Sequence, residues 1–259
     1  MNPVHIPRAC VRTRLIKPGD LGPDGFATLP ALLRHLHAVA QLHASELQFS
    51  QQSLAAQHLT WALVAMDLTV NHRTRGGEAV QVTTSVASQR GPIVLRDYRV
   101  ECILSEAYMD LASGQAMWAL IDTASRRTAS MPAALAATFQ RERIRSQSRI
   151  ECVQRLAAAS DLRLYTDHRV GFHDCDFNGH LNNVVAAGWL LDSLYDGSLL
   201  EDRGKPTRYR LTYLREALQG EVISVWKQDL SGMHHSAELR NVAQQPIARL
   251  RVDATSSSA

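Results

Sequence analysis

The sequence predicts an α+β protein built from two tandem repeats, each a long helix wrapped by a curved antiparallel sheet. Three observations support this fold class. In each half an extended piece leads into one amphipathic helix, four strand-like runs follow that helix, and glycine, proline or glutamine breaks separate the runs. Because this order occurs twice, the pattern by itself indicates two α+β repeats in one chain.

In the first half, an extended piece at 11–17 and a Gly/Pro/Asp loop precede a helix that runs to about His43. Thr28 is suited to cap this helix, and Pro30 is tolerated in its first turn. The predicted strands are 61–70, 78–87, 93–103 and 116–122, with breaks at Gly76-Gly77, Gly91-Pro92 and Gly114.

In the second half, an extended piece at 164–172 leads through a polar motif into a helix at 181–195, where Gly188 would let the helix axis approach its neighbour. The predicted strands are 208–213, 221–229, 234–241 and 247–252. We therefore divide the chain into an N-terminal repeat at 1–135, a helical basic connector at 136–160 and a C-terminal repeat at 161–254.

Composition narrows the class of protein. The 259 residues are 45% hydrophobic and 20% charged, which is typical of a globular chain with a sizeable core. The sequence has neither a long uncharged apolar run nor a signal-peptide core, so we expect a cytoplasmic protein without membrane insertion. A net charge of +3 is too small to indicate a nucleic-acid partner. We interpret the four cysteines as free thiols, because Cys10, Cys102, Cys152 and Cys175 lack disulfide or metal-ligand spacing.

The most informative segment is HDCDFNGHLNN at 173–183, directly before the second helix. Asp176, Asn178 and His180 occupy alternate positions, so an extended strand would place them on one face. The helix N-terminus beside them would offer free N–H groups to a developing oxyanion. In the alternative interpretation, Asn178, Gly179 and the following asparagines are only turn and capping residues.

The segment at 174–194 resembles the signature of acyl-acyl carrier protein thioesterases, double hotdog enzymes that release fatty acids from carrier protein. That family has Asp, Asn and His at alternate positions, then two asparagines, then a helix with a Gly-Trp pair near its middle. The corresponding residues here are Asp176, Asn178, His180, Asn182, Asn183, Gly188 and Trp189. Three further segments resemble the family, namely 60–70 (TWALVAMDLTV), 125–132 (SRRTASMP) and 211–216 (LTYLRE).

The resemblance implies two tandem hotdog repeats, with the acyl pocket on the side of the first and a single active site in the second. It also implies four catalytic residues: Asp176, Asn178, His180 and Glu216. The residue after the glutamate, often Cys in the family, is Ala217, so a thiol mechanism at that position is excluded. The first half shows Gly25, Phe26 and Ala27 before its helix and has no counterpart of the Asp/Asn/His trio.

These residue types suit thioester hydrolysis, which needs an activated water, a donor to the carbonyl oxygen and a proton for the departing thiol. Either Glu216 or His180 can act as the base. The Asn178 amide and the helix N–H groups would polarise the carbonyl, while Asp176 would orient its neighbours. A covalent route through a carboxylate also stays open. Cys175 would point away from Asp176 and Asn178 on a strand, so we predict that it packs rather than reacts.

The connector carries four arginines against a single Glu142, namely Arg141, Arg143, Arg145 and Arg149. Such a run is usually a solvated surface. Alternatively it contacts an acidic acyl carrier protein, which is the partner that the resemblance implies. A homodimer is left open.

The histidines show no metal-ligand pattern. His35 and His37 lie two apart on the predicted helix and diverge by about 200°, so they do not readily chelate one metal ion. We predict neither a metal nor a cofactor. The expected function is hydrolysis of acyl thioesters on acyl carrier protein. The alternatives are an acyl-coenzyme A thioesterase, a hotdog dehydratase and a non-catalytic acyl-binding protein.

Overall fold

The computed structural model describes residues 9–104, 107–142, 153–195, 206–228 and 234–254. The N-terminal repeat contains β1 (Ala9–Leu15), α1 (Leu29–Glu46), α2 (Gln51–Ala55), β2 (Leu59–Val70), β3 (Ala79–Arg90), β4 (Ile93–Leu104), β5 (Ala107–Asp122), β6 (Arg127–Thr128) and α3 (Ala133–Glu142). The C-terminal repeat contains β7 (Arg163–Arg169), α4 (Asn183–Leu194), β8 (Thr207–Tyr213), β9 (Val222–Lys227), β10 (His234–Arg240) and β11 (Pro246–Ala254).

The strands of both repeats form one continuous antiparallel sheet in the order β1-β3-β4-β5-β2-β8-β11-β10-β9-β7, with β6 paired to β5. Counted inward from the two edges of the sheet, the strand orders are β1-β3-β4-β5-β2 and β7-β9-β10-β11-β8. Each strand of the first repeat therefore has an equivalent in the second, and the two repeats have the same strand order. They join where β2 pairs with β8. At this junction Asp67 accepts two hydrogen bonds from Arg208, at 2.8 and 2.6 Å. The two α+β repeats expected from the sequence are therefore present.

One long helix packs against each half-sheet, α1 on β1 and β3 and α4 on β9, β10 and β11. Thr28 caps α1 by accepting a hydrogen bond from the Ala31 N–H, as the sequence predicts. The apolar faces of α1 and α4 share one core cluster, in which Leu36 and Leu190 are fully buried. A second core cluster includes Leu54 from α2 and Leu135 and Phe139 from α3.

The connector is only partly helical in the described residues. Helix α3 covers Ala133–Glu142, whereas 153–162 contains no helix. Within the part of the chain that the structure describes, no helix combines the length and apolar character needed to cross a membrane.

Gly114 does not break the sheet, contrary to the sequence prediction. Strand β5 starts at Ala107 and runs through Gly114 without interruption. A Cβ atom at Gly114 would lie 2.3 Å from the Asp67 carbonyl oxygen and 2.8 Å from the Leu68 Cα atom. The glycine therefore permits close approach of the β2 backbone.

We expect Gly114→Ala to lower the free energy of unfolding by about 2 kcal/mol or more, because the added methyl group would press the β2 backbone away. Chemical denaturation would measure the loss. Gly19→Ala is the matched control, since no atom lies within 4 Å of the Cβ position at Gly19. Equal stability of the two variants would contradict the close-approach explanation.

Candidate active site

The polar motif forms a tight turn rather than the strand that its alternation predicts. The Asp176 N–H donates to the His180 carbonyl at 2.7 Å, and the Gly179 N–H donates back to the Asp176 carbonyl at 3.0 Å. Gly179 has a φ of 76°, a conformation that glycine adopts without strain. The Asp176 carboxylate accepts from the backbone N–H groups of Asn178 and His180, at 2.8 and 3.3 Å. Asp176 therefore fixes the conformation of this loop.

The loop is followed by α4, which begins at Asn183 rather than Leu181. The Asn182 side chain caps the helix by accepting from the Val184 N–H at 2.8 Å, so the capping interpretation is correct for this residue. Tyr213, at the end of β8, donates its hydroxyl to the Asn183 carbonyl at 2.9 Å. These contacts hold the N-terminus of α4 beside the loop.

Glu216 lies in the loop after β8 and not on the strand itself. The Leu181 N–H donates to the Ala217 carbonyl at 2.8 Å, and His180 forms an isolated β-bridge with Leu218. This short backbone contact brings the two loops together. As a result, His180 Nδ1 lies 3.5 Å from Glu216 Oε1.

The first repeat contributes a residue that the sequence analysis did not assign to the site. Arg126, from the turn between β5 and β6, forms an ion pair with Glu216 and lies 3.2 Å from His180 Nε2. Asp122 holds this turn by accepting from the Ser125 N–H at 2.6 Å and the Ser125 hydroxyl at 2.7 Å. Arg126 itself has a φ of 60°, which a non-glycine residue adopts at a cost of about 1 kcal/mol or more.

These contacts determine the tautomer of His180. An arginine N–H can only donate, so Nε2 of His180 must present its lone pair to Arg126. In the neutral ring the proton then lies on Nδ1, facing Glu216. Burial, followed by the Arg126 charge, lowers the pKa of His180 below its ordinary 6.5, with Asp176 opposing the shift. His180 is therefore mainly neutral at pH 7.

A cavity of about 660 Å³ meets the site on the side of the Asp176–Asn178 loop. Asp176, Phe177 and Asn178 line one part of it, together with the start of α4. The second half of α1, helix α2 and strands of the first repeat line the remainder, including Leu47, Phe49, Leu54, Trp61 and Phe139. Its size and largely apolar walls are typical of a small-molecule site.

The first repeat contains the structural counterpart of the polar loop, and this counterpart has different chemistry. The bridges Leu21–Ala27 and Phe26–Arg75 match the bridges Cys175–Leu181 and His180–Leu218. The counterparts of Asp176, Asn178, His180 and Glu216 are thus Gly22, Asp24, Phe26 and Arg73. Asp24 and Arg73 form an ion pair at 2.5 Å, and the Arg73 guanidinium lies 4.8 Å from the centre of the Phe26 ring.

The loop of the first repeat therefore holds Gly22, Asp24 and Phe26 at the positions equivalent to the trio. A cavity of about 400 Å³ adjoins Asp24 and Arg73.

The structure thus brings His180 and Glu216 into contact and places Asp176 and Asn178 in the adjoining loop. Their catalytic roles stay predictions. Cys175 is partly buried against the core, as predicted for a packing residue. Arg141 lies in the last turn of α3, whereas Arg143, Arg145 and Arg149 fall outside the described residues. Among the described residues, no group of three or more His, Cys, Asp or Glu side chains is placed to hold a metal ion.

Comparison with known families identifies both halves of the chain. Residues 12–139 match the acyl-ACP thioesterase N-terminal domain, and residues 158–253 match the acyl-ACP thioesterase C-terminal domain. The chain is 24% identical over 239 residues to the chloroplastic palmitoyl-acyl carrier protein thioesterase of Cuphea hookeriana, covering 88% of this chain and 56% of that protein. It is also 24% identical over 229 residues to oleoyl-acyl carrier protein thioesterase 1 of Arabidopsis thaliana, covering 81% and 60%. The chain spans about half the length of the curated relatives it matches.

Solved structures give the same fold over nearly the whole chain. The acyl-ACP thioesterase of Bacteroides thetaiotaomicron superposes with a TM-score of 0.82 at 20% identity, covering 95% of this chain and 97% of that one. The 12:0-ACP thioesterase of Umbellularia californica superposes with a TM-score of 0.79 at 18% identity, again covering 95% and 97%. The predicted fold of two tandem hotdog repeats is therefore confirmed.

Proposed function

Because the chain belongs to the acyl-ACP thioesterase family, we propose that it hydrolyses acyl thioesters carried by acyl carrier protein. The products are the free carboxylic acid and the thiol of the carrier. One observation supports this proposal most directly: His180 and Glu216 lie in contact beside a largely apolar cavity lined by Asn178 and the start of α4. The cavity suits an acyl chain, and the polar cluster suits the thioester group.

In this mechanism the acyl chain lies in the cavity and the thioester carbonyl faces the Asn178 amide. That amide and the free N–H groups at the start of α4 would stabilise the oxyanion as water adds to the carbonyl. Glu216 takes a proton from the attacking water, or His180 does so once Arg126 releases the Nε2 lone pair. The proton then passes to the sulfur of the departing thiol, so that one water is consumed for each thioester cleaved.

Glu216 is well suited to the role of base, since its carboxylate is half exposed and contacts both Arg126 and His180. His180 would then orient Glu216 through Nδ1. A thiol nucleophile is not part of this mechanism. Ala217 occupies the position next to Glu216 and is buried.

The basic connector is proposed to contact the carrier protein. Acyl carrier proteins are acidic, so we expect the Michaelis constant for carrier-bound substrate to rise with salt, as screening weakens charge pairs beyond about 10 Å at 0.1 M. Reversing the charge of Arg141, Arg143, Arg145 and Arg149 should weaken the carrier substrate selectively. The cytoplasmic location and the homodimer stay predictions.

The function is tested by measuring release of free thiol from an acyl thioester of acyl carrier protein, from the thioester of the same acyl group with coenzyme A, and from a 3-hydroxyacyl thioester of the carrier. Loss of water from the 3-hydroxyacyl substrate is measured in parallel. We expect the first to have the highest kcat/KM. Equal kcat/KM and equal salt dependence for carrier and coenzyme A substrates would remove the connector from the proposal. Water loss from the 3-hydroxyacyl substrate without thiol release would indicate a dehydratase, and binding without turnover would indicate an acyl-binding protein.

A further inference from the structure

The cavity wall formed by the first repeat contains a buried positive charge. Arg96, on β4, lines the cavity and is only 6% exposed. Its Nη1 atom lies 2.8 Å from Nδ1 of His43 and 3.3 Å from the Thr84 hydroxyl. Both are uncharged partners, because Nδ1 of His43 must present a lone pair to an arginine N–H.

Within the described part of the chain, no carboxylate forms an ion pair with Arg96. Glu46, near the end of α1, pairs with Arg12 instead. The Asp97 carboxylate accepts a hydrogen bond from Gln115 at 2.8 Å. Buried arginines are almost always paired with an anion, since removing a bare charge from water is costly. Burial also lowers the pKa of the Arg96 guanidinium from its ordinary value.

Two further polar groups line the same wall of the cavity. The His37 and Trp118 rings meet edge to face, with centroids 5.7 Å apart, and both residues line the cavity. His37 Nε2 has no hydrogen-bond partner among the described residues. Trp118 Nε1 makes no hydrogen bond of normal geometry there, although the Tyr98 hydroxyl lies near enough to interact with the Trp118 side chain. The indole N–H can only donate, so a ligand that satisfies it must bring an acceptor. Buried polar groups without partners are uncommon and call for an explanation.

A wholly hydrocarbon acyl chain would leave the Trp118 N–H without a full hydrogen bond and the charge of Arg96 uncompensated. An acyl group that carries an anion at its far end would satisfy both. We propose that the preferred substrate is the monothioester of a dicarboxylic acid, with its free carboxylate bound by Arg96 and by the Trp118 N–H. This inference rests on the proposed thioesterase function and names its substrate class.

In this proposal the free carboxylate and the thioester of the substrate bind at different parts of the cavity. The thioester carbonyl lies at the Asn178 loop of the second repeat, whereas Arg96, His37 and Trp118 belong to the first repeat. The apolar residues Leu47, Leu54 and Val94, which also line the cavity, would contact the methylene groups. Such a site selects its substrate strongly, because an acyl group without the carboxylate leaves buried donors unpaired.

The test compares pantetheine thioesters of monocarboxylic acids with monothioesters of dicarboxylic acids at each of several matched chain lengths. For the wild-type protein we expect kcat/KM for the carboxylate-ended substrate to exceed that for its methyl-ended partner by about tenfold or more at the best length. Arg96→Met should abolish or reverse this preference while hydrolysis of the methyl-ended substrate persists. Arg99→Met is the control, because Arg99 lies on the same strand, is 58% exposed and faces Glu101 and Asp110.

The ratio of kcat/KM values for the wild-type protein tests the inference even if Arg96→Met does not fold. Trp118→Phe provides a second variant, which removes the N–H donor but keeps an aromatic ring. Hydrolysis of both substrate types at equal kcat/KM would overturn the inference and leave the proposed function standing. A hydroxyl-ended substrate of matched length completes the series, and a preference for it over the carboxylate-ended substrate would also overturn the inference. If no thioester is hydrolysed, calorimetry with free dicarboxylic and monocarboxylic acids decides, since equal affinities would contradict the role of Arg96.

Discussion

Glu216→Gln is expected to lower kcat by about two to four orders of magnitude without unfolding the protein. The substitution keeps the shape of the side chain but removes the negative charge that faces His180 Nδ1 and pairs with Arg126. Glu216 is half exposed, so its loss should hardly change stability. Steady-state kinetics with carrier-bound substrate would measure the rate, and thermal unfolding would verify the fold.

The control is Glu221→Gln, which alters an exposed acid in the loop between β8 and β9. This variant should keep wild-type kcat. If Glu216→Gln retained more than about a tenth of the activity, the carboxylate would not be the base. His180 would then take that role. His180→Ala should therefore be measured alongside, to separate the two candidates.

Arg126→Met is expected to lower kcat by about tenfold or more and to move the acidic limb of the pH–rate profile to higher pH. Burial is the larger cause of the lowered His180 pKa, and the Arg126 charge is the second. Removing the arginine removes one lowering cause and leaves the Glu216 carboxylate facing the ring, so the His180 pKa must rise. A neutral His180 is then present only above a higher pH, which sets the direction of the shift.

The control is Arg127→Met, because Arg127 is the exposed neighbour on β6. A purely structural role for Arg126 would lower the melting temperature and leave the pH profile in place. An unchanged His180 titration by NMR, together with wild-type kcat, would contradict the positioning role. Comparison of Arg126→Met with Arg127→Met thus separates an electrostatic effect on His180 from a general effect of positive charge on carrier binding.

The repeat order was predictable because it depends on local periodicity. Amphipathic spacing identified α1 and α4, and Thr28 marked the start of α1 by its capping chemistry. The conformation of the polar motif was not predictable from alternation. Asp176 bonds to backbone N–H groups two and four residues ahead. That local competition between side chain and strand pairing converts an apparent strand into a turn.

The position of Arg126 beside His180 and Glu216 could not be predicted from the sequence. It reaches His180 and Glu216 from the other repeat through a turn in a left-handed backbone conformation. No spacing in the chain signals such a contact. The segment 125–132 was noted only for its family resemblance, which gave no reason to place an arginine beside the glutamate.

The sequence also did not predict which glycines are required for close packing. Gly188 was expected to permit close helix approach, yet a Cβ there would lie 3.7 Å from Pro30, an ordinary contact distance. Gly114 was expected to interrupt a strand and instead admits a neighbouring backbone. Which glycine is sterically required depends on long-range pairing, and a single sequence does not display that pairing.

The Asp24–Arg73 pair, at the position equivalent to Asn178 and Glu216, has a consequence for how such a chain can evolve. In a symmetric dimer of identical subunits, every mutation alters both copies of a site at once. Joining two repeats in one gene removes that constraint, so Phe26 can replace a histidine in one half while His180 persists in the other. Two repeats in one chain thus allow the polar loop of one half to change while the loop of the other half keeps its histidine.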